Sequence, residues 1–153
     1  MRLTNRDIWD GRFALRALAN LSPAPTMGVS VRLARNLRKL NAELEDIAAV
    51  IRTLDETYQE ETEVPDPETG ALRTVMAVPA SRRASYDAEL EELLAQPVDV
   101  DVRTISEAEL LQCEAKRPGF NLAPGILFGA WFMFDLESEP EEAADGDQPA
   151  DES

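Results

Sequence analysis

A regular apolar seam between Ser30 and Glu60 constrains this chain more than any other feature. The spacing of four and three positions, repeated along a long helix, places its members on one stripe. They are Leu33, Leu37, Leu40, Leu44, Ile47, Ile51, Leu54 and Tyr58. Because Ala34, Ala48 and Val50 widen this stripe, we predict that it packs against other helices of the same chain.

The residues before the seam predict a second, shorter helix. Thr4 or Asn5 is suited to cap it, and its apolar face includes Trp9 and Phe13, which we expect in the core. The segment 22–28 is rich in proline and glycine and has a suitable length for a connection between antiparallel helices. We therefore predict an αα-hairpin, in which the shorter helix lies on the long one.

Turn and strand patterns follow the seam. Pro65 to Gly70 is a strong turn signal, and Leu72, Thr74, Met76 and Val78 follow at spacing two, which indicates a β-hairpin that pairs with the residues around Thr62 and Val64. A third helix is expected to start at Ser81 or Ser85 and to end before Pro97. Alternation from Val98 to Val102 predicts a strand with one apolar and one charged face.

Two further segments complete the folded part. Ser106 and Glu109 form a capping-box pattern, so a fourth helix should begin there with Leu110 and Leu111 on its buried side. Asn121 to Leu136 fits a helix that tolerates Pro124 in its first turn, and it fits a strand equally well. We choose a short buried helix. Its apolar run, 126–134, is expected in the core or at an interface.

These elements predict an α+β fold, mainly α. We expect a single domain over residues 1–136, built on the helical hairpin with a small antiparallel β element. Residues 137–153 carry eight acidic and no basic side chains, and we expect a disordered acidic tail there. The predicted core consists of Phe13, Leu18, Leu33, Leu37, Leu40, Leu44, Ile47, Ile51, Leu54, Leu90 and Leu94.

Charge is strongly polarised along the chain. The net charge is −15, yet the residues through Leu40 carry eight basic and two acidic side chains, a balance of +6 that leaves −21 for the remainder. We therefore expect no direct nucleic-acid binding, because such binding depends on neutralising phosphates. The candidate partner-binding residues are four cations of the long helix and four carboxylates of the tail: Arg32, Arg35, Arg38 and Lys39, and Glu139, Glu141, Glu142 and Asp145. Antiparallel pairing of two long helices in a homodimer would also bring basic ends beside acidic ends.

The residue inventory argues against most chemistry. The chain has no histidine and a single cysteine, Cys113, which we expect to be a small buried apolar residue. Asp99 and Asp101 share one face of the predicted strand, but a third magnesium ligand at recognisable spacing is missing, so we predict no metal site. With no histidine, no glycine-rich phosphate loop and no catalytic motif, we also predict no cofactor and no enzymatic activity. The polar N-terminus does not resemble a signal peptide, and the run 126–134 is too short to span a bilayer. We expect a cytoplasmic protein without membrane association.

The order of these features resembles an uncharacterised family of small bacteriophage proteins. The resemblance consists of the Leu3-Thr4-Asn5 opening, the helical hairpin, the turn Asp66 to Gly70, the helix Tyr86 to Leu94, the strand Val98 to Val102 and the aromatic closing segment. It implies a phage protein in the cytoplasm of its host, without assigned chemistry. We expect a non-enzymatic protein that binds another protein, either a host factor or an assembly partner. The alternative is an acidic inhibitor that mimics nucleic acid and occupies a host nuclease, polymerase or defence complex.

Overall fold

The computed structural model describes residues 1–136, and this part of the chain is mainly helical. Its helices are α1 (Asn5–Asp10), α2 (Arg12–Ala19), α3 (Met27–Tyr58), α4 (Arg83–Ala95), α5 (Glu107–Lys116) and α6 (Pro124–Gly129). Its strands are β1 (Arg2–Thr4), β2 (Glu60–Pro65), β3 (Leu72–Ala77), β4 (Pro97–Asp99), β5 (Ile105–Ser106) and β6 (Phe134–Asp135). Short 3-10 turns occupy Ala80–Arg82 and Trp131–Met133. The predicted mainly helical fold with a long helix and small antiparallel sheets is confirmed.

The long helix α3 spans 32 residues, and its seam packs within the chain. Leu33, Leu37, Leu40 and Ile47 are buried members of the hydrophobic core. Leu44 and Ile51 are partly buried against the same core, whereas Leu54 is half-buried near the C-terminal end of the helix. The core is therefore built on the N-terminal two thirds of α3.

The region before α3 differs from the predicted single helix. Thr4 begins α1 with a capping box that includes Asp7, and Gly11 separates α1 from α2. Because two separate short helices contact α3 instead of one, the predicted two-helix hairpin is not confirmed. The core position predicted for Phe13 is wrong: its side chain is 64% exposed, because α2 turns Ala14, Leu15 and Leu18 toward the core instead.

The predicted β-hairpin is present, and the face that carries Leu72 and Met76 is the exposed one. β2 and β3 pair antiparallel, with Thr62 opposite Val75, and Gly70 takes a positive φ of 70° in the turn. Leu72 and Met76 are exposed, and Val75 on the other face is half-buried. Spacing two correctly grouped the residues by face, but it gave no information about which face is covered.

The helix α4 and strand β4 carry the chain back to its N-terminus. Leu94 is buried and Leu90 is half-buried, and the hydroxyl of Tyr86 donates to Asp55 of α3 at 2.6 Å. This hydrogen bond and partial burial raise the pKa of Tyr86 to about 12. The strand predicted for residues 98–102 is shorter than expected, because β4 ends at Asp99. It pairs antiparallel with β1, a strand that was not predicted.

The C-terminal part of the described chain closes the core. Ser106 and Glu109 form the predicted capping box of α5, and Cys113 is fully buried as expected. Leu111 is 56% exposed, so its predicted burial is wrong; the buried side of α5 turns toward Cys113. Segment 124–129 is a short helix as predicted, although Ala123 rather than Asn121 occupies its N-cap. Strand β6 follows it and pairs parallel with β5.

The apolar run 126–134 divides between core and surface. Phe132, Met133 and Phe134 are buried, whereas Phe128 and Trp131 are exposed, so the prediction of a buried helix is wrong for α6 itself. Among residues 1–136, no helix is both long and apolar enough to cross a membrane. The predicted acidic tail, including Glu139, Glu141, Glu142 and Asp145, lies outside the described residues.

Candidate protein-binding surfaces

An apolar groove forms where α6 runs into β6. Phe128 is 79% exposed, Trp131 53% and Leu136 45%. The groove has a volume of about 360 Å³. Its apolar lining, which we call the aromatic groove, consists of Pro124, Leu127, Phe128, Trp131, Phe134 and Leu136. Asp135 adds a carboxylate at its edge.

The floor of the aromatic groove is held by the core. Trp131 meets the buried ring of Phe132 edge to face, with 5.7 Å between the ring centroids. Phe134 belongs to the core, and it lies in β6 opposite Ile105 of β5. Because Phe134 and the ring beneath Trp131 belong to the core, the floor of the groove is preformed, whereas Phe128 projects into solvent.

Two glycines allow α6 to approach the N-terminal helices closely. A Cβ at Gly11 would lie 2.6 Å from the carbonyl oxygen of Gly129, and a Cβ at Gly129 would lie 2.8 Å from the Cβ of Ala14. Neither position has space for a methyl group. This contact fixes α6 against α2 and so determines where Phe128 and Trp131 point from the surface.

A second, charged pocket lies on α3. It has a volume of about 160 Å³ and is lined by Arg35, Asn36, Arg38, Lys39 and Arg103, which we call the basic pocket. Four of these five residues are cationic. Arg35, Arg38 and Arg103 form no ion pair within residues 1–136, whereas the Lys39 ammonium lies 3.0 Å from a carboxylate oxygen of Asp101.

Three residues of α3 hold segment 101–104, which contributes Arg103 to this pocket. The buried Asn36 donates to the Arg103 carbonyl at 2.8 Å and accepts from the Arg103 N–H at 3.1 Å. Arg32 donates to the Thr104 carbonyl at 3.2 Å, and Lys39 donates to the Asp101 carbonyl at 3.0 Å. Since positions 32, 36 and 39 share one face of the helix, the segment runs along that face.

The four predicted basic residues therefore have different environments. Arg32 is half-buried and forms an ion pair with Glu109 at 2.7 Å, so it serves the internal structure. Lys39 is exposed but is engaged by Asp101, and this ion pair holds the pKa of the Asp101 carboxyl below its usual range. Arg35 and Arg38 are exposed and line the basic pocket together. Whether any of these residues contacts a partner stays a prediction.

The aspartates considered as metal ligands are occupied by cations. The N-terminal amine lies 3.6 Å from Asp99, and Lys39 pairs with Asp101. Across residues 1–136, no group of three or more potential ligands among His, Cys, Asp and Glu is arranged to hold a metal ion.

Sequence reasoning left the run 126–134 open between core and interface without distinguishing Phe128 and Trp131 from the rest, and it missed Arg103 as a pocket residue. The aromatic run favoured burial for all its members, and no local pattern distinguishes its exposed rings from its buried ones. Arg103 is 64 positions beyond Lys39, so only tertiary structure brings it to α3. No family model, no curated protein and no solved structure matches this chain.

Proposed function

We propose that this chain is a non-enzymatic, phage-encoded protein that acts by binding another protein through its aromatic groove. The observation that carries the proposal is the exposure of Phe128, Trp131 and Leu136 around one preformed concavity. Large exposed apolar patches are uncommon on soluble proteins and mark interaction sites. Tryptophan is among the residues that most often dominate the binding energy of protein interfaces.

The chemistry around the groove defines the partner that it fits. Asp135 is the only charged residue that lines the groove within residues 1–136. A partner segment with an apolar anchor and a flanking lysine or arginine would therefore bury the rings and pair with this carboxylate. A second copy of this chain fits less well, because the net charge of −15 makes two copies repel each other.

The volume of the groove supports a protein ligand rather than a large cofactor. At about 360 Å³, it is near the lower end of the range of about 300–1,000 Å³ found for small-molecule pockets. One or two inserted apolar side chains would fill such a concavity, as an anchor residue does in helix-in-groove recognition. We place this activity in the cytoplasm of a phage-infected host on the strength of the sequence resemblance alone.

Affinity capture with matched variants tests the proposal. The bait is the full chain, compared with Phe128→Ser/Trp131→Ser and with the control Leu72→Ser/Met76→Ser, which removes two exposed apolar side chains from β3. We expect a host or phage protein that the full chain and the control capture and that the groove variant loses. With that partner purified, the groove variant should bind roughly 10- to 100-fold more weakly.

Two further measurements, of tryptophan fluorescence and of competition by DNA, complete the test. Partner binding should shift the fluorescence of Trp131 toward shorter wavelengths, because the indole leaves water. Equal binding by the groove variant and the full chain would refute the proposal. Displacement of the partner by DNA, with no effect of the groove substitutions, would support the nucleic-acid mimic instead.

A further inference from the structure

The basic pocket concentrates positive charge in a strongly acidic protein. Arg35 and Arg38 lie three positions apart on α3, and Arg103 reaches the same pocket from segment 101–104. Like charges at this helical spacing destabilise a helix. The protein has 30 acidic side chains, yet within residues 1–136 none forms an ion pair with these three arginines.

Asn36 holds the backbone of Arg103 in place. Asn36 is 2% exposed and uses both its amide nitrogen and its carbonyl oxygen on the backbone of Arg103. A buried amide with both ends satisfied fixes the backbone at that residue. The backbone that carries the third guanidinium is therefore held against α3, next to Arg35 and Arg38.

We propose that the basic pocket is a carboxylate-binding site and that its occupant is the acidic segment 137–153 of the same chain. This segment is rich in the complementary charge, with Glu139, Glu141, Glu142 and Asp145 in its first half. Guanidinium groups bind carboxylates through paired hydrogen bonds as well as through charge. The inference goes beyond the proposed function and does not depend on the partner of the aromatic groove.

The topology brings the acidic segment within reach of the pocket. Asp135 pairs with Ser106 across β5 and β6, and Ser106 is three residues from Arg103. Leu136 therefore lies within roughly 20 Å of Arg103, given about 3.3–3.6 Å per residue and a strand separation of about 4.8 Å. A chain as long as segment 137–153 can span up to roughly 60 Å, so its carboxylates can reach this distance.

Tethering favours this occupant over external ones. A segment of the same chain has an effective concentration on the order of millimolar at a site that it can reach. A free polyanion such as nucleic acid must instead approach a molecule of net charge −15. A second copy of the chain offers the same carboxylates but without the tether.

Paramagnetic relaxation enhancement tests the contact in the full chain. A nitroxide is attached at Ala144→Cys, a neutral site among the acidic residues; the native Cys113 is fully buried, and labelling of the unsubstituted protein checks that it stays unmodified. At low salt we expect selective broadening of the backbone amides of residues 35–39 and 103. Raising the ionic strength toward 1 M should relieve it, because the screening length falls to about 3 Å.

Charge-matched variants make the result specific. Arg35→Glu/Arg38→Glu/Arg103→Glu should remove the broadening, whereas Arg52→Glu/Arg73→Glu/Arg117→Glu changes the net charge equally at exposed arginines outside the pocket and should retain it. Broadening that persists in the pocket variant, or that disappears equally in both variants, would overturn the proposal. It would also be overturned if broadening arose only between labelled and unlabelled copies, or if it mapped to another surface.

Discussion

Asn36 has a structural role that its side-chain chemistry alone does not suggest. It lies on the flank of the apolar seam, where an asparagine is expected to face water. Instead it is buried and pairs with the backbone of Arg103, which joins two segments far apart in sequence. A single amide thus helps to hold segment 101–104 on α3 and shapes the basic pocket.

Substitution of Asn36 by alanine should destabilise the protein by about 1–3 kcal/mol, because the N–H and the carbonyl of Arg103 would lose their partner. Chemical denaturation measures this change. Asn41→Ala, at an exposed position of the same helix, is the control and should change stability by less than about 0.5 kcal/mol. Equal effects of the two substitutions would show that the buried amide is not important for stability.

Glu109 links the cap of α5 to α3, and it makes stability depend on pH. The backbone N–H of Ser106 and the guanidinium of Arg32 donate to its carboxylate, and they hold the pKa of Glu109 below its ordinary value of 4.5. The folded state therefore favours the ionised form. This stabilisation is present above pH 4.5 and is lost as the pH falls through the lowered pKa of the folded state.

Glu109→Gln should consequently reduce the loss of stability on acidification below about pH 4.5. The measurement is the free energy of unfolding in urea at a series of pH values from neutral to acidic. Glu107→Gln, an exposed residue in the same first turn, is the matched control. If both variants keep the acid dependence of the unsubstituted protein, the network of Arg32, Ser106 and Glu109 does not contribute as described.

Among the elements, the junction of α1, α2 and α6 depends on glycine. Gly11 looks like a weak point in a helix, since glycine costs about 1 kcal/mol there relative to alanine. The structure gives it a packing role, because its missing side chain lets the carbonyl of Gly129 approach. Close contact between these backbones positions α6 and thereby the aromatic groove.

Gly11→Ala should therefore destabilise the protein by about 1–3 kcal/mol, although alanine favours helix, because the added methyl group forces α6 away. Gly28→Ala is the control: Gly28 lies in α3, and apart from its chain neighbours and the backbone of its own helix, a Cβ at this position would have no atom within 4 Å. That substitution should leave stability unchanged or raise it by up to about 1 kcal/mol. Thermal unfolding compares the two, and a neutral Gly11→Ala would contradict the role assigned to this contact.

At the scale of the whole molecule, the seam of α3 is not available for self-pairing as it stands. Leu33, Leu37, Leu40 and Ile47 are already covered by elements of the same chain. The hypothesis of an antiparallel homodimer through α3 would thus have to use its charged outer face. With a net charge of −15, repulsion between copies opposes such a dimer at low salt.

We expect a monomer in sedimentation velocity experiments at low and at high salt. A dimer that appears at high salt and is lost with Trp131→Ser would contradict this expectation and would identify the aromatic groove as a contact between copies. A dimer that is insensitive to Trp131→Ser but lost on reversing the charges of Arg35 and Arg38 would support the antiparallel arrangement instead.

Features that depend on neighbours in sequence were predictable. The heptad spacing identified α3, the Ser106 and Glu109 pair identified the start of α5, and the turn at Pro65 to Gly70 identified the β-hairpin. Each depends on interactions within a few residues, so the local sequence contains the required information. The exposed positions of Phe13, Leu72 and Leu111 were not predictable, because periodicity shows which residues share a face and not which face is covered.

The amino-acid sequence by itself determined the type and approximate bounds of the main helices, the β-hairpin and the separation of charge along the chain. Only the tertiary structure decided that Phe128 and Trp131 stay at the surface while Phe132 enters the core, and that Arg103 joins Arg35 and Arg38. The physical reason is the range of the interactions. Capping, turns and periodicity act within one or two turns of chain, whereas burial and charge clustering depend on which distant elements pack together.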